Sequence, residues 1–142
     1  MTVLVGFRIE FADDSGDLVG FVNIEDGFRV SAVPQPGDYV AIAGLTADRQ
    51  AGAWWPGKGP FHQVQYLEHY PVPAGADGQP AVTAVLRVPA PGTYQAAPLV
   101  RAFGSAGWTV VSFDNLKQLD PDAGPVSPFG QAVDEWQTQQ GL

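Results

Sequence analysis

The chain has 142 residues, no cysteine and a net charge of −8 at pH 7. Its apolar share, 45%, is that of a globular protein, and its length suits one domain over residues 1–142 with a core of its own. A wholly disordered chain and a disulfide scaffold are both excluded.

The charge is unevenly placed. Residues 1–26 carry six acids against one base and residues 114–142 five against one, whereas residues 27–113 carry four against five. Affinity for a phosphate backbone comes from clustered Lys and Arg, so direct nucleic-acid binding is not expected. The acidic ends keep a small protein soluble, and their sharper reading is attraction to a basic protein partner. No run approaches the roughly 18 apolar residues of a membrane span. The start of the chain lacks the basic segment of a signal peptide, so the cytoplasm is the expected location.

Glycine (17) and proline (13) are both abundant, which favours many turns and short strands. Val3, Val5, Phe7, Ile9 and Phe11 alternate with Leu4, Gly6, Arg8, Glu10 and Ala12, a period-2 pattern that predicts a strand. Turn formers fill 13–17, and Leu18–Ile24 reads as the return strand, with Leu18, Gly20 and Val22 on the face of Phe11, Ile9 and Phe7 given an even-numbered loop of two or four residues. Asp26-Gly27 suits a two-residue hairpin turn, which would start a third strand over Phe28–Val33. Pro34-Gln35-Pro36-Gly37-Asp38 is turn chemistry leading into a fourth strand at Tyr39–Ala43. Such a turn is common to many small β-barrels, SH3-like ones among them, and speaks only to fold.

A long Gly- and Pro-bearing connection, 44–60, separates this meander from a fifth strand at Phe61–Tyr70. A sixth strand is expected over Ala81–Val88 and a seventh over Trp108–Phe113. Between them a short helix is predicted near 97–106, with Pro98 in its first turn and Gly107 at its exit. The only candidate sub-boundary lies near 89–92. A C-terminal helix is predicted near 128–139, where Ser127-Pro128 supplies an N-cap and N1 proline. Phe129, Val133 and Trp136 then share one face. The expected class is α+β, mainly β: an antiparallel meander or small barrel-like sheet of about seven strands, with two helices.

Chemical motifs are few. Gly52–Lys58 has the spacing of a phosphate-binding loop, but Gly59 stands where a magnesium-binding Ser or Thr belongs, and Gly59-Pro60 leads into a strand rather than a helix. No cofactor is therefore expected. His62 and His69, seven apart, face opposite sides of a regular strand and cannot share a metal unless a bulge intervenes. The acidic clusters fall at turns, loops or an exposed helix face, and no metal site is expected from them.

Trp54-Trp55, in the connection that also carries Arg49 and Lys58, is the feature with most to explain. Adjacent indoles either plug an open end of the sheet or anchor a partner, since Trp is enriched among interface hot spots. The preferred expectation is a non-enzymatic protein-binding module or small accessory protein using Trp54, Trp55, Arg49 and Lys58. An alternative is a small-ligand pocket or enzyme lined by His62, Tyr66 and Glu68. Further alternatives are an assembly subunit of a phage, plasmid or secretion system, and an acidic inhibitor that mimics nucleic acid.

Overall fold

A computed structural model describes residues 2–41, 61–71, 80–114 and 127–141. Among the described residues, six strands form one sheet: β1 (Val3–Ala12), β2 (Leu18–Val30), β3 (Tyr39–Ala41), β4 (Phe61–His69), β5 (Val82–Pro89) and β6 (Thr109–Ser112). Two helices, α1 (Thr93–Ser105) and α2 (Pro128–Gln139), pack on it. The class is α+β and mainly β. The strand order is β3-β4-β5-β1-β2-β6. The sheet is mostly antiparallel and open, not a closed barrel.

The β1–β2 pairing follows the apolar alternation. Phe7, Ile9 and Phe11 lie opposite Ile24, Val22 and Gly20. Where β1 and β2 meet at Ala12 and Leu18, a register shift absorbs the odd-numbered connection. Gly20 has a packing reason. A Cβ there would overlap the ring of Phe129 from α2, and that ring also lies 4.7 Å from Phe11, centroid to centroid. The missing side chain makes room for an aromatic from the helix layer.

Asp26-Gly27 does not make a hairpin turn. The expected second and third strands are one, β2, because ten-residue β1 is long enough to pair with both halves. Val5 pairs with Phe28 and Phe7 with Ile24, so the residues between form a bulge. Gly27 takes φ 74° there, and a Cβ would sit 2.7 Å from the carbonyl oxygen of Val5. Positive φ serves a bulge as well as a turn, and local sequence does not distinguish them.

The simple meander also fails at the centre of the sheet. β1 pairs with β5 in parallel, Phe7 beside Ala84, Ile9 beside Leu86 and Phe11 beside Val88. These three β5 residues complete the apolar face begun by β1. The Pro34–Asp38 turn forms as expected, with Asp38 N–H donating to Gln35 O at 2.9 Å and Asp38 Oδ2 accepting from Gln35 N at 2.7 Å. It delivers β3 to the far edge of the sheet, against β4, rather than to the end of β2.

α1 begins at Thr93, earlier than Pro98 suggests, and Pro98 sits inside it. An interior proline removes one backbone bond. Packing offsets that cost, since Ala96, Leu99, Val100 and Phe103 recur at helical spacing and all are buried. α2 is capped as its sequence implies: Ser127 Oγ accepts from Gly130 N at 3.0 Å, with Pro128 in the first turn. Both helices cover the face that carries Phe7, Ile9 and Phe11. Trp108 is buried there with Phe103 at 4.9 Å, and Trp136 packs against Gly104 of α1. The core draws on residues from both sides of Pro89–Gly92. No helix among the described residues is long and apolar enough to cross a membrane.

Candidate functional site

Arg8 and Glu10 alternate with the core residues of β1, so they project from the face opposite the helices. The parallel pairing sets Arg8 beside Val85 and Glu10 beside Arg87. On the far side of β5, Tyr66 pairs with Val85 and Glu68 with Thr83. Three strands thereby place Arg8, Glu10, Tyr66, Glu68 and Arg87 on one patch. Val85 is 0% exposed yet stands apart from the main core, roofed by this patch.

The patch is a connected network. Arg8 Nη1 donates to Glu68 Oε2 at 2.9 Å, and Nη2 donates to Glu68 Oε1 and, at 3.3 Å, to the Tyr66 hydroxyl. Tyr66 in turn donates to the Glu10 carboxylate, 3.1 Å from both oxygens. Arg87 Nη2 reaches Glu10 Oε1 at 3.1 Å. The Tyr70 hydroxyl donates to Glu68 Oε2. Arg8 also lies over the ring of Phe21, 5.8 Å from its centroid, and Phe21 packs with Phe113 at 5.7 Å.

The electrostatics follow from these partners. Burial works against the charge on Arg8, but the hydrogen bonds to Glu68 and Tyr66 and the Glu68 charge outweigh it and raise its pKa. The hydrogen bond from Arg8 holds Glu68 below the usual carboxylate range, against a smaller opposing effect of burial. Accepting that negative charge as a neighbour pushes the Tyr70 hydroxyl up. Glu10 is only 7% exposed but has Tyr66 and Arg87 as partners. Two guanidinium groups balance two carboxylates. The two-point contact of Arg8 with Glu68 fastens β4 to β1 across β5.

His62 is not part of it. Val64 pairs with Leu86, whereas Tyr66 pairs with Val85, so a bulge at Gln65 reverses the facing of the strand. His62 and Val64 share the helix-side face, and Tyr66 and Glu68 the other. Burial lowers the His62 pKa. The same bulge brings His62 and His69 onto one face, but seven residues of strand hold them roughly 20 Å apart. Among the described residues no group of three His, Asp or Glu side chains is placed to hold a metal.

A second feature lies at the sheet edge. Tyr39 pairs with Gln63 and Ala41 with Phe61, so Tyr39 and Phe61 are diagonal neighbours on one face of the β3–β4 ladder. They are 67% and 57% exposed. Trp54, Trp55, Arg49 and Lys58 lie outside the described residues. Arg8, Glu10, Tyr70 and Arg87 were not singled out by their sequence. Alternation marks Arg8 and Glu10 as outward-facing, but the residues they meet depend on the parallel β1–β5 pairing. Comparison of the chain with protein families, with characterised proteins and with solved structures returned no match.

Proposed function

We propose that this chain is a cytoplasmic protein-binding module that presents its Trp54-Trp55 connection from the tip of the β3–β4 hairpin. The supporting observation is the pairing of Ala41 with Phe61, which joins the two ends of that connection at one point of an edge ladder. Tyr39 and Phe61, exposed side by side at its foot, extend an aromatic surface of the kind that anchors protein partners. Arg49 and Lys58 would frame the patch, and the acidic terminal segments would favour a basic partner. The His62, Tyr66 and Glu68 reading has less support, because His62 lies on the other face and the remaining pair is engaged within the network.

Affinity capture from native cell extract, with wild type beside Trp54→Ala/Trp55→Ala and Tyr39→Ser/Phe61→Ser, tests this reading. The expected result is a partner held by the wild type and lost by both variants, each still unfolding cooperatively. Binding is then repeated with the purified partner over a salt series, because a basic partner implies weakening as salt rises. A partner retained by both variants would overturn the proposed surface.

A further inference from the structure

β2 and β3 follow one another in the chain but stand four strand spacings apart in the sheet, about 19 Å if it were flat. Residues of both nevertheless line a single hollow of about 400 Å³, because the sheet curls without closing. Strand register decides which side chains enter it. Phe28 and Val30 lie opposite Val5 and Val3, on the face of Phe7, and Val40 lies opposite His62, on the same helix-side face. Arg29 pairs with Leu4 between Phe28 and Val30, so its guanidinium projects from the other face. Tyr39 and Ala41 flank Val40 in the strand and likewise turn their side chains away.

Every strand side chain that enters the hollow is therefore apolar. The rings of Phe7 and Phe28 meet edge to face at 5.9 Å, with Val30 and Val40 beside them, and the linking residues Ser31, Ala32 and Pro34 are uncharged too. Phe28, Val30 and Val40 pack against the core yet stay half-buried, because the hollow leaves one side of each uncovered. The walls are in place before any ligand arrives. The crossing segment is pinned to β4 by Gly37 N–H to Val64 O at 2.8 Å and Val64 N–H to Asp38 O at 2.9 Å. Pre-formed, mostly apolar concavities of a few hundred Å³ are the usual form of a small-molecule site.

Charge selects the ligand class by exclusion. A carboxylate or ammonium entering this hollow would lose its water and meet no ion-pair partner in the described lining, a cost that an uncharged molecule escapes. The two phenyl rings favour a flat aromatic body, which can stack or meet them edge to face. We infer that this hollow binds an uncharged, largely hydrocarbon aromatic molecule about the size of a naphthyl ring, seated on Phe7 and Phe28 between Val30 and Val40. The site lies on the face opposite the exposed Tyr39 and Phe61 side chains. It is independent of the protein-binding reading, and either can fail without the other.

The test titrates the uncharged fluorescent probe N-phenyl-1-naphthylamine into wild type, Val30→Trp, Val40→Trp and Tyr39→Ser/Phe61→Ser. Cooperative thermal unfolding of each variant is checked first. The wild type is expected to saturate with one probe per chain. Val30→Trp and Val40→Trp, which fill the hollow from its two walls, should each weaken the probe about tenfold. The Tyr39→Ser/Phe61→Ser variant, altered on the other face, should bind as wild type does. At pH 7 uncharged 1-naphthol should displace the probe about tenfold better than anionic 1-naphthoate, which has the same rings. Unsaturable binding, equal displacement by the two naphthyl compounds, or loss confined to Tyr39→Ser/Phe61→Ser would overturn the site. So would binding seen only with Trp54→Ala/Trp55→Ala, which would show that the chain's own indoles fill the hollow. If neither tryptophan variant folds, amide chemical shifts of the wild type on adding 1-naphthol decide: changes centred on Phe7, Phe28, Val30 and Val40 support the site, and changes centred elsewhere overturn it.

Discussion

Arg8 and Glu68 are sixty residues apart and lie on strands that do not touch, yet the Arg8 guanidinium engages both oxygens of the Glu68 carboxylate across β5. It also contacts Tyr66 and Phe21. One side chain thus ties β4 to the centre of the sheet, and β3 depends on β4 for its place.

The pair is partly buried, so its loss costs more than a surface ion pair and less than a fully buried one. Arg8→Met is expected to destabilise by about 2 kcal/mol, since it leaves Glu68 and Glu10 facing each other with less compensation. Glu68→Gln should cost about 1 kcal/mol. Urea unfolding of both singles and the double variant gives the coupling directly; additive effects would show that the pair contributes nothing of its own.

Stability should decline over two pH ranges as the solution is acidified. His62 has a folded pKa below its unfolded value near 6.5, so the unfolded chain takes up the proton first, and stability falls as pH drops below that value. Glu68, also depressed from about 4.5, contributes stability that is complete above that pH and is lost as pH falls through its folded pKa. Urea midpoints between pH 7.5 and 3.5 should show both declines, with His62→Gln removing the upper and Glu68→Gln the lower. A profile unchanged by either substitution would contradict the assignment.

Two glycines of positive φ should respond differently to alanine. Gly27, at φ 74°, faces the Val5 carbonyl across the bulge, so Gly27→Ala adds a clash to backbone strain and should cost about 3 kcal/mol. Gly16, at φ 86° in the β1–β2 turn, has nothing within 4 Å of a new Cβ, and Gly16→Ala should cost only about 1 kcal/mol. Equal losses in thermal unfolding would mean that the bulge is not packed as described.

Ser127 both caps α2 and donates its hydroxyl proton to buried Asp114 at the end of β6. Ser127→Ala should therefore lower stability by about 1–2 kcal/mol, the upper part of the range for a lost cap. Hydrogen exchange should locate the effect in the first turn of α2. Protection lost evenly across the sheet instead would show that Ser127 does not act through the helix start.

Local pattern was enough for many of the elements and for several of their partners. The alternation Val3–Phe11 marks β1 and its buried face, and Phe11, Ile9 and Phe7 do lie with Gly20 and Val22. Ser127-Pro128 marks the start of α2, whose Phe129 reaches the core. Of the candidate site, Tyr66 and Glu68 were legible as neighbours on a strand face, but His62 was misplaced with them because one extra residue, Gln65, reverses the alternation. Nothing in the composition of 61–69 announces that bulge.

What the sequence by itself determined is what depends on near neighbours: a mainly β chain, its turn at Pro34–Asp38, its helix cap and its apolar stripes. Those signals arise within a few residues, from side-chain period and from the backbone conformations that Gly, Pro, Ser and Asp permit. Tertiary structure alone decided that Asp26-Gly27 is a bulge within one long strand, that β1 and β5 run in parallel, and that Pro98 lies inside a helix. In each case the local chemistry suits two conformations equally well. The choice falls to long-range burial, which rewards whichever pairing completes the face of Phe7, Ile9 and Phe11 with Ala84, Leu86 and Val88.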